Sequence, residues 1–201
     1  MSTDPKTLLD AVPQGSGHAL DLGGGAGALK EILEQKGYQY LNAEIQRRKT
    51  VASLVLTDAH NLPFKDGVFA LVVSNDSLEH FLRPQEVVAE VGRVLVTGGQ
   101  FIIHVPFLQP FHGNDTYRYT PVGLRYLLSD VAGLEIVSLE SPLWIFSILS
   151  SILTDICNKI NLAFLRSPIL NIGRIIDSWF TNRRSSPRSF AASYLVIARK
   201  R

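Results

Sequence analysis

A chain of 201 residues with 46% apolar and 19% charged side chains can bury a full core, and its composition is that of an ordinary globular protein with one domain spanning 1–201. The single cysteine, Cys157, excludes an intramolecular disulfide framework and a cysteine-rich zinc site, which points to a reducing, cytoplasmic setting. The net charge of +2 hides a division: residues 1–140 carry 11 basic against 16 acidic side chains, whereas residues 141–201 carry 9 against 2.

In chain order, short β-type runs alternate with helix-type segments, the pattern of an α/β domain with a largely parallel sheet. The N-terminus lacks the basic segment and apolar run of a secretory signal. "HALDL" (18–22) reads as the first strand and "GALKEILEQKG" as its helix, ended by Gly37. "YQYLNAEI" and "ASLVLTD" are the next strands, joined by only about eight residues, too few for a helical crossover. The continuous apolar run "VFALVVSND" predicts a strand covered on both faces. "PQEVVAEVGRVLV" predicts a helix with Pro84 in its first turn and Gly98-Gly99 at its end. "QFIIHVPF" is the fifth strand. The loop "LQPFHGNDTYRY" leads into a helix capped by Thr120 with Pro121 at its first position. "GLEIVSLE" is the sixth strand and "SYLVIARKR" the last.

The turn "DLGGGAG" after the first strand has a physical use: glycines there allow positive φ angles and let a ligand approach the backbone. Two cofactor classes exploit such a turn. The dinucleotide pattern G-x-G-x-x-G/A fits Gly23, Gly25 and Ala28. The pattern D/E-x-G-x-G-x-G fits Asp21, Gly23, Gly25 and Gly27. This second pattern, together with "TDAHNLPFKDGVFALVVSNDSLEHF" and "VGRVLVTGGQFIIHVP" in that order, resembles the class I S-adenosylmethionine (SAM)-dependent methyltransferases, in particular the broad "type 11" methyltransferase-domain group, over residues 15–140. Val96 and Thr97 depart from the leucine-proline pair usual in that group.

The resemblance implies a Rossmann-like seven-stranded sheet whose last strand runs antiparallel between the fifth and sixth, with SAM as cofactor. It also implies site residues. The backbone of Gly23, Gly24, Gly25 and Gly27 would pack on the methionine part of SAM, and Asp21 would meet its ammonium directly or through water. Glu44, at the end of the second strand, would accept the ribose hydroxyls, or else be a solvated surface glutamate. Asp58 and the Ala59 amide would read the adenine, or Asp58 would cap its own turn. Asn75 would lie near the reacting methyl.

Ligands in open α/β sheets bind beyond the carboxyl ends of the strands, so the loops after strands four and five predict the acceptor site. His112, Asp115, Tyr117 and Arg118 cluster in one, and Asp76, Glu79 and His80 in the other. The spacing H-x-x-D-x-x-R-x-T is similar to one in methyltransferases of surface polysaccharide and glycan synthesis, which implies O-methylation of a sugar or glycan-linked hydroxyl. His112 or Asp115 would then serve as base, with His80 as a further catalytic candidate and Arg118 orienting an anionic group. The structural alternatives are that Asp115 and Arg118 only pin the loop and that His80 is a satisfied structural histidine. His104 alternates with apolar neighbours and reads as structural. No metal-ligand spacing stands out. The aromatic tetrad of nucleobase N-methylating enzymes is absent after the fourth strand, which disfavours nucleic acid. A module that keeps the fold and cofactor pocket without catalysis is the alternative of another class.

Residues 141–188 read as an apolar, basic helical insertion. Its longest uncharged run, 141–154, is too short to span a bilayer. Ser147, Ser150, Ser151, Thr154, Asp155 and Asn158 recur at helical spacing as one narrow polar stripe, and apolar residues fill the rest. That apolar face needs a cover: the protein's own sheet or acceptor site, a second subunit, or a membrane surface contacted through 143–188. Arg166, Arg174, Arg183, Arg184 and Arg188 suit an anionic leaflet and would place the protein at the inner face of a membrane.

Overall fold

The computed structural model describes residues 8, 10–46, 53–111, 113–142, 145–160, 162–181 and 191–201. One seven-stranded sheet organises them: β1 (His18–Leu22), β2 (Gln39–Glu44), β3 (Leu54–Leu56), β4 (Phe69–Asn75), β5 (Leu95–Pro106), β6 (Leu134–Glu140) and β7 (Ser193–Lys200). Their spatial order is β3-β2-β1-β4-β5-β7-β6. β1 to β5 pair in parallel, and β7 pairs antiparallel to both β5 and β6.

Side-chain alternation divides the core between the two faces of the sheet. Leu20, Leu22, Val72, Phe101 and Ile103 pack on one face with helix α2 (Pro84–Val94) and helix α3 (Pro121–Arg125), which continues as a π-type turn over Tyr126–Val131. Ala19, Leu71, Val73 and Ile102 pack on the other with helix α1 (Lys30–Gln35) and with Leu8 and Val12. The continuous apolar reading of β4 is thus met by burial on both faces. Thr120 caps α3 as expected, its hydroxyl oxygen accepting from the Gly123 N–H at 3.1 Å.

Helix α2 is shorter than its sequence implies. It ends at Val94 rather than at Gly98-Gly99, and the chain is already extended at Leu95. A cation fixes that end: the Lys200 ammonium, at the end of β7, donates to the carbonyls of Leu95 (2.7 Å) and Arg93 (3.3 Å), groups that a helix C-terminus leaves over. Gly98 and Gly99 instead lie where the β4–β5 register slips, Phe69 facing Leu95 and Leu71 facing Gln100. A side chain at Gly99 would press on the Val96 and Phe69 carbonyls at 2.8 and 3.1 Å.

The insertion is helical, as its sequence reads. It forms two helices, α4 (Ile145–Lys159) and α5 (Arg166–Thr181), packed on each other. Ser150, Thr154 and Asp177 are buried, while Leu149, Ile152, Ile156, Ile172, Ile175 and Trp179 are exposed. The protein's own sheet therefore does not cover the apolar face of α4. Each buried hydroxyl is satisfied within its own helix, Ser150 donating to the Phe146 carbonyl (2.7 Å) and Thr154 to that of Ser150 (2.8 Å). The helices approach closely at Gly173, where any Cβ would collide with Ser150. Among the described residues no helix is long and apolar enough to cross a membrane.

The segment "DAHNLPFKDG" is bolted to α2 by one side chain. Arg93 donates to the Glu90 carboxylate (2.7 Å), to Asp66 (2.8 Å) and to the carbonyls of Leu62 (3.0 Å) and Phe64 (2.7 Å), while Glu90 accepts from the Leu62 N–H. Arg93→Ala should cost about 1–3 kcal/mol in urea denaturation, because two carbonyls and two carboxylates lose a charged donor. Arg93→Lys should recover only part of it, since an ammonium cannot fork between these acceptors.

Candidate active site

The glycine turn begins where β1 ends at the carboxyl edge of the sheet. Gly23, Gly25 and Gly27 take φ values of +71°, +52° and +77°, the left-handed region that favours glycine. The protein's own atoms require two of the glycines to be bare. A Cβ at Gly23 would meet that of Ser77 at 2.7 Å, and one at Gly24 would collide with the Asp21 carboxylate. At Gly25 a Cβ would meet nothing within 4 Å. Its absence leaves room for a ligand rather than for a neighbour.

Strand β2 holds this turn from one side with alternate residues. The Tyr40 hydroxyl donates to Asp21 Oδ2 (2.8 Å), the Asn42 amide donates to the Gly25 carbonyl (3.3 Å), and Glu44 Oε2 accepts from the Gly25 N–H (3.1 Å). Sequence reasoning found Glu44 but missed Tyr40 and Asn42, although their i, i+2, i+4 spacing along one strand was the available signal. Asp21 is 1% exposed, and burial raises its pKa from 3.8 to about 7, against the Tyr40 hydrogen bond and with help from Glu44. Sealed beneath Gly24, its carboxylate supports the turn from below; a direct contact with a ligand ammonium does not fit this burial.

Glu44 Oε1 also accepts from the Ile45 and Gln46 N–H groups at 2.9 and 3.2 Å, which leaves it acceptor capacity on a carboxylate with about four lone-pair sites. Asp58 is half exposed and caps its own turn by accepting from the His60 N–H at 2.9 Å and from the His60 ring. These bonds hold its pKa below the ordinary value, so the carboxylate stays charged. Arg83 N–H donates to His60 Nε2 at 3.3 Å, which fixes the proton on Nδ1, toward Asp58. Ala59 is buried beside it, and the Asn75 side-chain oxygen is buried without a hydrogen bond at the carboxyl end of β4. Turn, carboxylates and orphaned amide lie along one edge and fit an elongated polar nucleoside ligand.

The second cluster lies after β4 and β5. Asp76 takes φ +49°, a left-handed value unusual for aspartate, and its Oδ1 lies 2.7 Å from His104 Nδ1. His104 is fully buried, as its alternation implied, but it is paired with a carboxylate at the functional edge. That pairing was not legible, because the two residues meet only through the β4–β5 register that sets Asn75 opposite His104. Next to it, His80 Nδ1 lies 3.3 Å from Asp115 Oδ1, and Arg118 donates to Asp115 Oδ2 at 2.6 Å. The His80 side chain is 32% exposed, against 1% for Asp115. The loop is stapled down by the Glu79 carbonyl, which accepts from the N–H groups of Thr116 (2.8 Å) and Tyr117 (3.1 Å), and by the Tyr119 hydroxyl on the Leu78 carbonyl (3.0 Å).

Two expectations change here. Arg118 is engaged by Asp115 and by the Gln109 and Pro110 carbonyls, and its guanidinium lies 5.0 Å from the Phe111 ring centre, so it holds the loop rather than reaching an anionic ligand. Asp115, buried between Arg118 and His80, is placed to orient His80 rather than to act as a solvent-facing base. His112 lies outside the described residues. Glu79, His80 and Asp115 could together offer three ligand atoms within 4.8 Å of one another, a cluster the spacing did not reveal.

Comparisons with known proteins agree with this geometry. Residues 20–103 match the family model described as a methyltransferase domain. A Mycobacterium protein described as an uncharacterized methyltransferase is 29% identical over 106 residues, 48% of this chain and 42% of its own length, so the chain spans under half of that relative. A structure from Bacillus halodurans described as a candidate methyltransferase superposes with a TM-score of 0.63 at 18% identity, covering 98% of both chains. A [4+2]-cyclase superposes at 0.65 with 17% identity, covering 98% of this chain and 79% of its own. A Haemonchus contortus phosphoethanolamine N-methyltransferase in complex with S-adenosylhomocysteine superposes at 0.61 with 14% identity, covering 97% and 52%. The seven-stranded sheet with its antiparallel β7 is the Rossmann-like methyltransferase fold of these structures. Residues 20–103 thus match the methyltransferase-domain model anticipated from the motifs.

Two outcomes follow. Gly25→Ala should fold with a loss of about 1 kcal/mol from its positive φ yet weaken SAM binding at least tenfold by calorimetry, whereas Gly24→Ala should lower the melting temperature because it strikes Asp21. Glu79, fully buried, has its pKa raised from 4.5 to about 8, by desolvation and by the charges of Asp76 and Asp115. Because the folded-state pKa is raised, the protonated form supplies stability that is complete below pH 4.5 and is lost as pH rises through about 8. Glu79→Gln should therefore flatten the fall in melting temperature across that interval.

Proposed function

We propose that this protein transfers the methyl group of SAM to an acceptor hydroxyl, on a sugar or glycan-linked molecule, with His80 as the general base. The observation that carries the reading is the His80–Asp115–Arg118 chain: a partly exposed imidazole backed by a buried carboxylate that a guanidinium holds in place. A base oriented by a third group is the arrangement needed to take a proton from a weak nucleophile. In the cofactor site, Gly25 would admit the ligand backbone-close, Glu44 would accept ribose hydroxyls, Asp58 and Ala59 would meet the adenine, and Asn75 would lie nearest the transferred methyl.

When bound, SAM supplies an electrophilic methyl on a sulfonium, and its displacement leaves a neutral thioether. His80 accepts the hydroxyl proton at Nε2 as the acceptor oxygen forms its bond to carbon. Asp115 offsets the positive charge that develops on the ring, and Glu79, neutral near pH 7, adds no competing anion. A dinucleotide-dependent oxidoreductase fits the glycine turn but gives no role to an antiparallel β7 between β5 and β6. A neighbour of the same fold is described as a [4+2]-cyclase, a precedent in this fold for a second reading without methyl transfer.

With methyl-labelled SAM and a panel of sugar and lipid-linked glycan acceptors, His80→Gln should lower turnover by about 10²-fold or more with SAM binding unchanged. Asp115→Asn should lower kcat while leaving KM for SAM near wild type. An unimpaired His80→Gln enzyme would remove it as base. SAM binding with no label transferred to any acceptor would favour the non-catalytic module.

A further inference from the structure

The helical hairpin α4–α5 buries small and polar residues and leaves several large apolar ones exposed. Its interhelical seam holds Ser150, Thr154, Gly173 and Asp177, and its outward faces hold Leu149, Ile152 and Ile156 on α4 and Ile172, Ile175 and Trp179 on α5. Trp179 is 77% exposed and the other five are each roughly half exposed. Small residues that let two backbones touch, hydroxyls bonded within their own helix and apolar side chains turned outward are what helices solvated by lipid show.

We infer that α4 and α5 dock this protein onto an anionic phospholipid bilayer. The helices have 15 and 16 residues, about 22–24 Å at 1.5 Å per residue, short of the roughly 30 Å hydrocarbon core; the hairpin lies in one face of the membrane and does not cross it. Charge selects the lipid. The excess of 6 basic over 2 acidic residues in 141–188 is complemented by an anionic leaflet, and Arg183, Arg184 and Arg188 follow α5 directly in the sequence. A second copy would carry the same excess of positive charge in this stretch, at a repulsive cost.

Topology ties this surface to the site. α4 leaves from the end of β6, at Glu140, and α5 returns to the start of β7, where Ser193 faces Pro106 at the end of β5. The hairpin thus springs from the same carboxyl edge as the loop that carries Asp115. Given the transfer reading above, on which this step rests, the acceptor is a hydroxyl of a lipid-anchored molecule presented at the bilayer surface.

The test uses the full chain with Trp144→Phe, which leaves Trp179 as the sole tryptophan. Flotation with vesicles of equal parts phosphatidylglycerol and phosphatidylcholine at low salt, with a blue shift of Trp179 emission, is expected; pure phosphatidylcholine should bind at least tenfold more weakly. Ile152→Ser/Ile156→Ser/Ile175→Ser, at exposed positions, should abolish flotation while retaining wild-type SAM affinity. No flotation with anionic vesicles, or equal flotation of the triple variant, would overturn the proposal. So would a dimer in sedimentation velocity that the triple variant dissociates and vesicles leave intact. Vesicle binding without methyl transfer to lipid-linked acceptors would fault the catalytic reading alone.

Discussion

The placement of β7 is the constraint on which the rest depends. By entering antiparallel between β5 and β6, it makes the ends of β5 and β6 and its own start coincide at one edge. The turn after β1, the loops after β4 and β5, and the hairpin all open onto that edge. At the far end, Lys200 of the same strand terminates α2 by holding the Arg93 and Leu95 carbonyls. One strand thereby sets the edge at which ligands can bind and the length of the helix that packs beneath it. An all-parallel sixth strand would give neither.

Electrostatics at that edge are organised around buried acids. Asp21, Glu79 and Asp115 have little or no exposure, and each is balanced differently: Asp21 by a tyrosine hydroxyl, Asp115 by Arg118 and His80, Glu79 by protonation near neutral pH. Burying a carboxylate without compensation costs several kcal/mol, so the outcome must be pairing or neutralisation. Protonating Glu79 relieves repulsion from Asp76 and Asp115, which leaves their negative charge for the two histidines. Perturbed acids beside oriented histidines are a common mark of functional sites, and structural networks produce them too; His80 is the partly exposed member of this one.

Much of this was legible in the sequence because it is local. The strands, the glycine turn and the Thr120 cap each depend on residues within a few positions of one another. The Asp76–His104 pair was not, because it needs the β4–β5 register, and that register contains a slip at Gly98-Gly99 that periodicity does not encode. The end of α2 was missed for a similar reason, since the group that stops it lies 107 residues away in Lys200. Ser150 and Thr154 share a buried face of α4, yet periodicity tells only that two faces differ. Which one turns inward depends on the partner helix, and Gly173 and Asp177 supply a surface that accepts serine and rejects leucine.

That inversion has an energetic consequence. A half-exposed leucine or isoleucine forgoes roughly 1 kcal/mol of burial, and five such residues with Trp179 together approach the whole stability of a typical domain, about 5–15 kcal/mol. A soluble protein under selection for stability alone would exchange the two faces, placing serine outside and isoleucine at the seam. Gly173 opposes that exchange, because the close approach it permits excludes large side chains from the interface. The hairpin is thus specified in its inverted form by its own seam, and its outward surface gains its full burial energy only when something other than this sheet covers it. Four residues separate Glu140 from Ile145, so the hairpin leaves the sheet at the same edge as the loop that carries Asp115.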